Sequence, residues 1–491
     1  MSTSLSLANL PQIAKLVPTP RYERDDLKPG IVHFGVGNFH RAHQAVYLNS
    51  LFNLGKDLDW AIIGAGLLPS DATMRSTLKK QDYLSTVVEQ SAAQSSALVT
   101  GVMIDYLDPT DVAKIIDTLL DPRIRIASLT ITEGGYYINA ATGKFDPEHP
   151  EIVHDGKDPE QPKTVFGVIA IALKKRRKNG VPPFTVMSCD NVPHNGVVAR
   201  NAVVGTARLS DPELADWIAN SVAFPNAMVD RITPATSTRE KEILTKDFGI
   251  TDGFPVFCED FTQWVLEDNF PGGRPAFEEV GVEMVVDVTP YETMKIRILN
   301  GGHAIIAYPA GLLDIHFAHE AMENKLILDF LQKVEFEEII PIVPPVPATS
   351  LTAYFQKVQE RFANPKIGDT IRRLCLDGSN RQPKFIIPSI ADRLKANLPV
   401  VGLALESALW ARYCFGITES GEKIEANDPN WERLVPVARA AKENPAAWLA
   451  MEDIYGELGR SEAFAMEFSR FLKELWQNGV KKTITNYLQQ K

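Results

Sequence analysis

The sequence predicts an α/β N-terminal domain followed by a second, mainly α-helical C-terminal domain. Three observations carry this. Strand-length apolar runs alternate with helical stretches through the first half of the chain. A strand, a Gly-x-Gly turn and a helix start stand close to the N-terminus. Near residue 289 the strand signal stops, and only amphipathic helical patterns follow. The domains are therefore expected at residues 1–288 and 289–491.

Taken in order, Ile31–Phe34 is a β-rich run that enters a glycine turn, and Arg41–Phe52 has helical character. Trp60–Ile63 is a second strand candidate, stopped at Gly64. Ile124–Thr132 and Phe184–Cys189 are apolar runs of the kind that parallel sheets bury on both faces. Helices are expected between and after them at Asp111–Leu120, Val165–Lys178 and Gly196–Leu209. In the second half they are expected at Leu351–Phe362, Lys366–Cys375, Leu403–Cys414 and Ala446–Leu458. A last helix is capped by Ser461 and stopped by Gly479. The proline-rich stretch Ile340–Pro347 should be extended, because proline excludes helix there.

Composition narrows the function classes. With 45% hydrophobic and 23% charged residues, the 491-residue chain fits a globular protein of two or three domains. A formal net charge of −11 leaves no broad cationic surface for nucleic acid or membrane. The one basic run, Lys174–Lys178, reads as the solvated C-terminal end of a helix, where cations offset the macrodipole. The four cysteines lie far apart and form no Cys-x-x-Cys pair, so neither zinc cluster nor disulfide framework is suggested. No secretory leader and no apolar run of about 18 residues is evident, so a soluble cytoplasmic protein is expected.

Gly35-Val36-Gly37-Asn38-Phe39-His40 follows the first strand. Glycines there let the backbone turn sharply and let a pyrophosphate approach helix N-terminal amides. The third fingerprint position is His40, so the motif equally suits a tight strand–helix turn without ligand. Asp71 is the first carboxylate after the second strand. It either holds the ribose hydroxyls of NAD or caps the helix that begins beside it.

The segment Thr289-Pro290-Tyr291-Glu292 opens a helix, with threonine at the cap, proline at the first position and Glu292 completing a capping box. On a regular α-helix, Lys295 and His303 lie about 80° apart and Asn300 about 60° beyond His303, so all three share one side. The pair Gly301-Gly302 costs about 1 kcal/mol per glycine relative to alanine, which suggests that something approaches the backbone there. A lysine whose pKa is lowered by burial can act as a base for a secondary alcohol, and asparagine amides can hold the developing alkoxide. Asn191, at the end of the Phe184–Cys189 run, supplies a second amide. Solvated surface and simple capping are the bland alternatives for the same residues.

Five motifs together resemble the polyol-specific long-chain dehydrogenases, and the resemblance runs along nearly the whole chain. They are Gly35–His43, Thr130–Tyr136, Phe184–Asn191, Phe224–Arg231 and Lys295-x4-Asn300-x2-His303. The resemblance implies a Rossmann-type NAD domain joined to a helical domain, with the substrate in the cleft between them. It implies Lys295 as general base, Asn191 and Asn300 as oxyanion hole, and His303 at the reacting oxygen. Glu292 would gate proton exchange between Lys295 and solvent. Asp230, Arg373 and Arg381 would contact substrate hydroxyls, although some relatives carry lysine where Arg381 stands. Gly35, Val36, Gly37, Asn38, Phe39, Asp71 and Glu133 would form the cofactor side. The expected reaction is metal-independent interconversion of D-mannitol and D-fructose by a monomer using NAD. D-arabinitol, sorbitol or fructuronate are alternative substrates. A silent NAD-binding regulator and a zinc-dependent dehydrogenase are the competing classes. The Lys–Asn–Asn–His set opposes the first, and the scattered cysteines and histidines oppose the second.

Overall fold

The computed structural model describes residues 2–139 and 142–490. The chain divides into two compact units, Met1–Thr289 and Pro290–Lys491.

The first unit is built on a five-stranded parallel sheet. Its strands are β1 (Pro29–Phe34), β2 (Ala61–Ala65), β3 (Met103–Tyr106), β4 (Ile126–Leu129) and β5 (Thr185–Ser188), in the spatial order β3-β2-β1-β4-β5. This is the doubly wound order, and its direction reverses between β1 and β4, where such sheets open a ligand crevice at their carboxyl ends. The strands are short and buried on both faces, which explains why they read as continuous apolar runs rather than alternating ones. Val112–Leu119, Val165–Lys178 and Asn195–Arg208 cover the sheet and share one core with β1, β4 and β5. Within β5, the Val186 N–H donates to the Ala223 carbonyl (3.0 Å), so the returning chain pairs with the sheet's outer edge there.

Two three-stranded sheets are added. Ser85–Gln90 pairs with Ser95–Thr100 and with Val256–Glu259, and Gln263–Glu267 pairs with Ala227–Asp230 and Glu283–Val285. The sequence reading had not separated these strands. Arg231 braces this region: its buried guanidinium donates to the Ala42 carbonyl (2.6 Å), the Glu259 carbonyl (2.9 Å) and the Glu89 carboxylate (2.6 Å).

The basic run at the end of Val165–Lys178 is not uniformly solvated, contrary to expectation. Arg176 is buried and donates to the carbonyls of Leu119 (2.8 Å), Ile124 (2.9 Å) and Pro182 (2.7 Å). Its neighbours Lys174 and Lys175 pair with Asp211 and Glu160 at the surface. The run is thus partly an internal tie.

The second unit is helical. Val401–Tyr413 is buried on every side, as a helix apolar all round must be, and packs against the long helix Glu462–Gln489. Four expectations need correction here. Gly479 does not end the last helix but breaks it, at φ 76°, and the helix resumes to Gln489. Ile340–Ile342 forms a 3₁₀ turn, because Pro341 is tolerated at its start, and the chain extends only afterwards. Lys366–Cys375 is helical only at Ile371–Leu374. Ala446–Leu458 is split into Ala446–Leu449, Glu452–Tyr455 and a 3₁₀ turn.

Candidate active site

In the first unit the crevice is framed by the turns after β1 and β4. Gly35 has φ 88°, and a Cβ built there would lie 2.1 Å from the Thr130 carbonyl oxygen, so only glycine fits. The Thr130 hydroxyl donates to the Gly35 carbonyl (2.7 Å), locking the two turns together. Gly37 is exposed, and a Cβ there would meet nothing nearer than 3.8 Å. Bare backbone thus faces open space at the start of the helix Asn38–Ala42, a surface that fits the close approach of a dinucleotide pyrophosphate. Val36 is buried in the core. Asn38 accepts from Arg41 (2.8 Å) and donates to the Pro234 carbonyl (3.2 Å), and the Phe39 ring stacks on His43 at 4.8 Å.

His40 explains the missing third glycine. It is buried and stacks on His33 of β1, with ring centroids 3.5 Å apart and planes 17° apart. His33 in turn bonds Ser128 (2.7 Å) and Thr130 (2.9 Å) through its two ring nitrogens. Burial depresses both imidazoles, His33 to about 3, so the stack is neutral.

Asp71 is the third residue of the helix Pro69–Lys80, not its cap, and its carboxylate accepts the Leu68 N–H (2.9 Å) while lying against Gly66. The structure therefore uses Asp71 at the helix start, beside the end of β2. Glu133 is exposed in the turn after β4, next to Thr132. Asn191 is exposed after β5, and Asp230 is buried at the end of Ala227–Asp230.

Asp190, beside Asn191 in the Phe184–Asn191 motif, is a residue that sequence pattern alone does not mark out. Its carboxylate accepts the N–H groups of Ile131 (3.0 Å) and Thr132 (2.8 Å) and the Tyr136 hydroxyl (2.7 Å). Burial pushes this carboxyl up to about 6, while the Tyr136 hydroxyl and the two N–H groups pull it down. Its adjacency to Asn191 was the only available signal.

The helix that leads into the second unit opens at Thr289, whose N–H is accepted by the Asp287 carboxylate (2.9 Å), with Pro290 in the first turn. Its continuation is not a regular α-helix. Lys295–Asn300 is a π segment, followed by the α-helix Gly301–Leu312. This corrects the expected angles. An α-helix sets residues five apart about 140° from each other. The i→i+5 register of a π segment instead brings Lys295 and Asn300 close to one azimuth. Lys295 and Glu292 are buried.

The half-buried His303 ring stacks on Phe362, with centroids 4.0 Å apart. Burial, then Arg373, Arg361 and Arg381, hold it well below its ordinary value, so the ring is a neutral donor–acceptor. Arg373 is paired through Nε and Nη2 with both oxygens of Asp369, a partner the sequence reading missed. Arg381 donates from Nη1 to the carbonyls of Arg373 (3.3 Å) and Leu374 (3.2 Å). Behind Gly302 lies Glu335, fully buried, with neither carboxylate oxygen hydrogen-bonded.

Among the described residues, no group of three or more His, Cys, Asp or Glu side chains is placed to hold a metal ion. All four cysteines are free and buried. No helix among the described residues is long and apolar enough to cross a membrane.

Comparison with known proteins gives a consistent picture. The family model for the mannitol dehydrogenase Rossmann domain matches residues 29–279, and that for the mannitol dehydrogenase C-terminal domain matches residues 287–476. Mannitol 2-dehydrogenase of Cereibacter sphaeroides is 57% identical, over 97% of this chain and 100% of the relative. That of Aspergillus oryzae is 42% identical, over 99% of each. Among solved structures, the Pseudomonas fluorescens mannitol 2-dehydrogenase ternary complex with NAD and D-mannitol superposes with a TM-score of 0.89. It is 44% identical and covers 100% of both chains. A substrate-free D-sorbitol dehydrogenase gives 0.90 at 37% identity, over 98% of this chain and 100% of the other. These matches span both units and exceed what fold likeness alone would require. The chain belongs to the mannitol dehydrogenase family, and it is an oxidoreductase.

Proposed function

We propose that the chain is an NAD-dependent dehydrogenase that interconverts D-mannitol and D-fructose without a metal ion, with Lys295 as general base. The observation that carries this reading is the π segment Lys295–Asn300, whose i→i+5 register sets a buried lysine and an asparagine near one azimuth of the helix. The relative crystallised with NAD and D-mannitol supports the choice of cofactor and substrate.

NAD, when bound at the Gly35–Phe39 turn with Asp71 and Glu133, supplies the hydride acceptor. Lys295 Nζ takes the proton of the C2 hydroxyl. The amides of Asn191 and Asn300 donate to the oxygen as charge develops there, a contribution that grows in a water-poor site. His303, neutral and held flat by Phe362, donates to the same oxygen. Glu292 passes the lysine's proton to solvent. Asp230, Arg373 and Arg381 bind the remaining hydroxyls. The Asp369 pairing already engages Nε and Nη2 of Arg373, which leaves Nη1 for a hydroxyl. A uronate carboxylate would have to displace Asp369 to gain a bidentate partner in Arg373, whereas a polyol hydroxyl needs only the remaining Nη1. The protein is proposed to act as a soluble cytoplasmic monomer on small molecules. The net charge of −11 supports the exclusion of nucleic acid.

The test is NADH consumption with D-fructose, repeated with EDTA, with NADPH, and with fructuronate and xylulose. Chelator-insensitive, NADH-preferring turnover that is fastest on fructose is expected. Lys295→Ala should reduce it by about 100-fold or more, since general bases contribute roughly 10² to 10⁴. Fructose turnover no faster than fructuronate, or a near-normal Lys295→Ala variant, would overturn the assignment.

A further inference from the structure

Thr132 has φ 65° and ψ 165°. This is a region of backbone space that essentially only glycine enters, and a β-branched residue there is a true outlier. Such strain persists only where surrounding contacts over-determine it. Here the contacts are visible. The Thr132 N–H is accepted by Asp190 Oδ1 at 2.8 Å and the preceding Ile131 N–H by Oδ2 at 3.0 Å. The Tyr136 hydroxyl closes the turn from its far side, donating to Oδ2 at 2.7 Å and meeting Ser188 Oγ at 2.5 Å. Both ends of the turn are thereby drawn onto one carboxylate. The Asp190 main chain is itself tied down: its N–H is accepted by Ser188 Oγ (3.3 Å), and its carbonyl accepts the Val192 N–H (2.9 Å) and the Asn195 amide (3.0 Å).

We propose that Asp190 is a positioning residue for the cofactor: its side chain holds the strained 130–136 turn, and with it Glu133, in the conformation that receives the dinucleotide. Its main chain, through the Val192 and Asn195 bonds, fixes the backbone on which Asn191 stands. One residue thus ties the cofactor side to the oxyanion side at adjacent strand ends. The inference rests on the NAD reading above. It separates two functions by atom: the carboxylate governs cofactor affinity, while the peptide unit governs the placement of Asn191. A side-chain substitution should therefore move cofactor affinity more than turnover.

Replacing Asp190 with asparagine keeps the shape but presents an amide NH₂ to one of the two backbone N–H groups, donor against donor. The experiment compares wild type, Asp190→Asn, Thr132→Gly, Tyr136→Phe and the Asp190→Asn/Thr132→Gly double variant. NADH dissociation constants are measured by titration calorimetry. Amide exchange across residues 126–139 is followed by mass spectrometry in the cofactor-free protein. Asp190→Asn should raise the NADH dissociation constant at least tenfold and speed exchange in the turn, with a smaller fall in kcat. Thr132→Gly relieves the strain, so the double variant should recover most of the lost affinity, a rescue that a merely structural role would not give. If Asp190→Asn does not fold, Tyr136→Phe, which removes one donor of three, should still weaken NADH binding two- to fivefold. Asp190→Asn or Tyr136→Phe binding NADH as tightly as wild type would overturn the proposal while leaving the function intact. A wild-type protein that binds no NADH would overturn the function reading, and this proposal with it.

Discussion

The paired glycines after Asn300 make opposite predictions. A Cβ at Gly301 would lie 3.5 Å from the Phe385 carbonyl, 3.7 Å from Ile339 Cδ1 and 3.8 Å from the Ile296 carbonyl, which is ordinary contact. Gly301→Ala should thus collect the helix-propensity gain of about 1 kcal/mol with little steric penalty. In a unit of this size that raises the melting temperature by about 2–4 °C. At Gly302 the same methyl would meet Phe362 Cε2 at 3.3 Å and Glu335 Oε1 at 3.4 Å. The gain of about 1 kcal/mol is then set against overpacking of about 1–3 kcal/mol, for a net loss of up to about 2 kcal/mol. Phe362 must also shift, carrying the His303 ring stacked on it. Thermal melts and NADH-linked turnover should be measured on both variants. Gly301→Ala should be the more stable and Gly302→Ala both less stable and less active. A lower melting temperature for Gly301→Ala, or full activity in Gly302→Ala, would refute the packing argument. If Gly301→Ala is stabilised yet inactive, the bare backbone there serves a ligand rather than folding.

Three further predictions follow from the same geometry. Gly37→Ala adds a methyl that meets only open space in the protein, so it should leave the melt unchanged while weakening NADH binding at least tenfold; unchanged binding would remove the turn from the cofactor site. Glu406 is buried and its carboxyl is pushed up to about 8 by burial, from an ordinary 4.5. The folded protein therefore holds a proton that the unfolded chain has released, and stability falls as pH rises from about 4.5 to about 8. Glu406→Gln should flatten that fall in a melting-temperature series, and a slope equal to wild type would contradict it. Arg381→Lys keeps the charge but loses the guanidinium, whose Nη1 is held by two carbonyls and whose other N–H groups stay available, so it should raise the ketose KM severalfold with NADH affinity unchanged, as read by steady-state kinetics.

Much of this molecule was legible in the sequence because the relevant signals are local. Four of the five sheet strands are short apolar runs bounded by glycine or polar turns, and their alternation with helices indicated the class, whereas Met103–Tyr106, interrupted by Asp105, gave no such signal. Lys295, Asn300 and His303 could be grouped because they lie on one helix. The π register could not be foreseen, since periodicity arguments assume 3.6 residues per turn. Nor could the role of His40, because its partner His33 lies on the preceding strand and only the turn brings the rings face to face. Asp369 and Phe362 were invisible for the same reason: each acts by position against a residue whose chemistry was obvious. The basic run misled because Arg176 points inward at carbonyls that belong to another helix and a loop. Sequence reported the candidate reactive groups, and tertiary contacts showed which neighbours surround them.

The five-residue interval between Lys295 and Asn300 also limits how this chemistry could be moved elsewhere. A designer who grafts the two side chains at their native spacing onto a plain α-helical scaffold would set them about 140° apart around the axis. Respacing them by three or four residues would restore a common face but alter their axial separation by a turn's pitch mismatch. The wider π turn is therefore part of the transplant, together with the partner helix that tolerates it. Deleting a single residue between the pair would wind the segment back to α at a spacing of four residues, about 40° apart, so the pair would keep a common face and the damage would fall on the packing of the residues that follow.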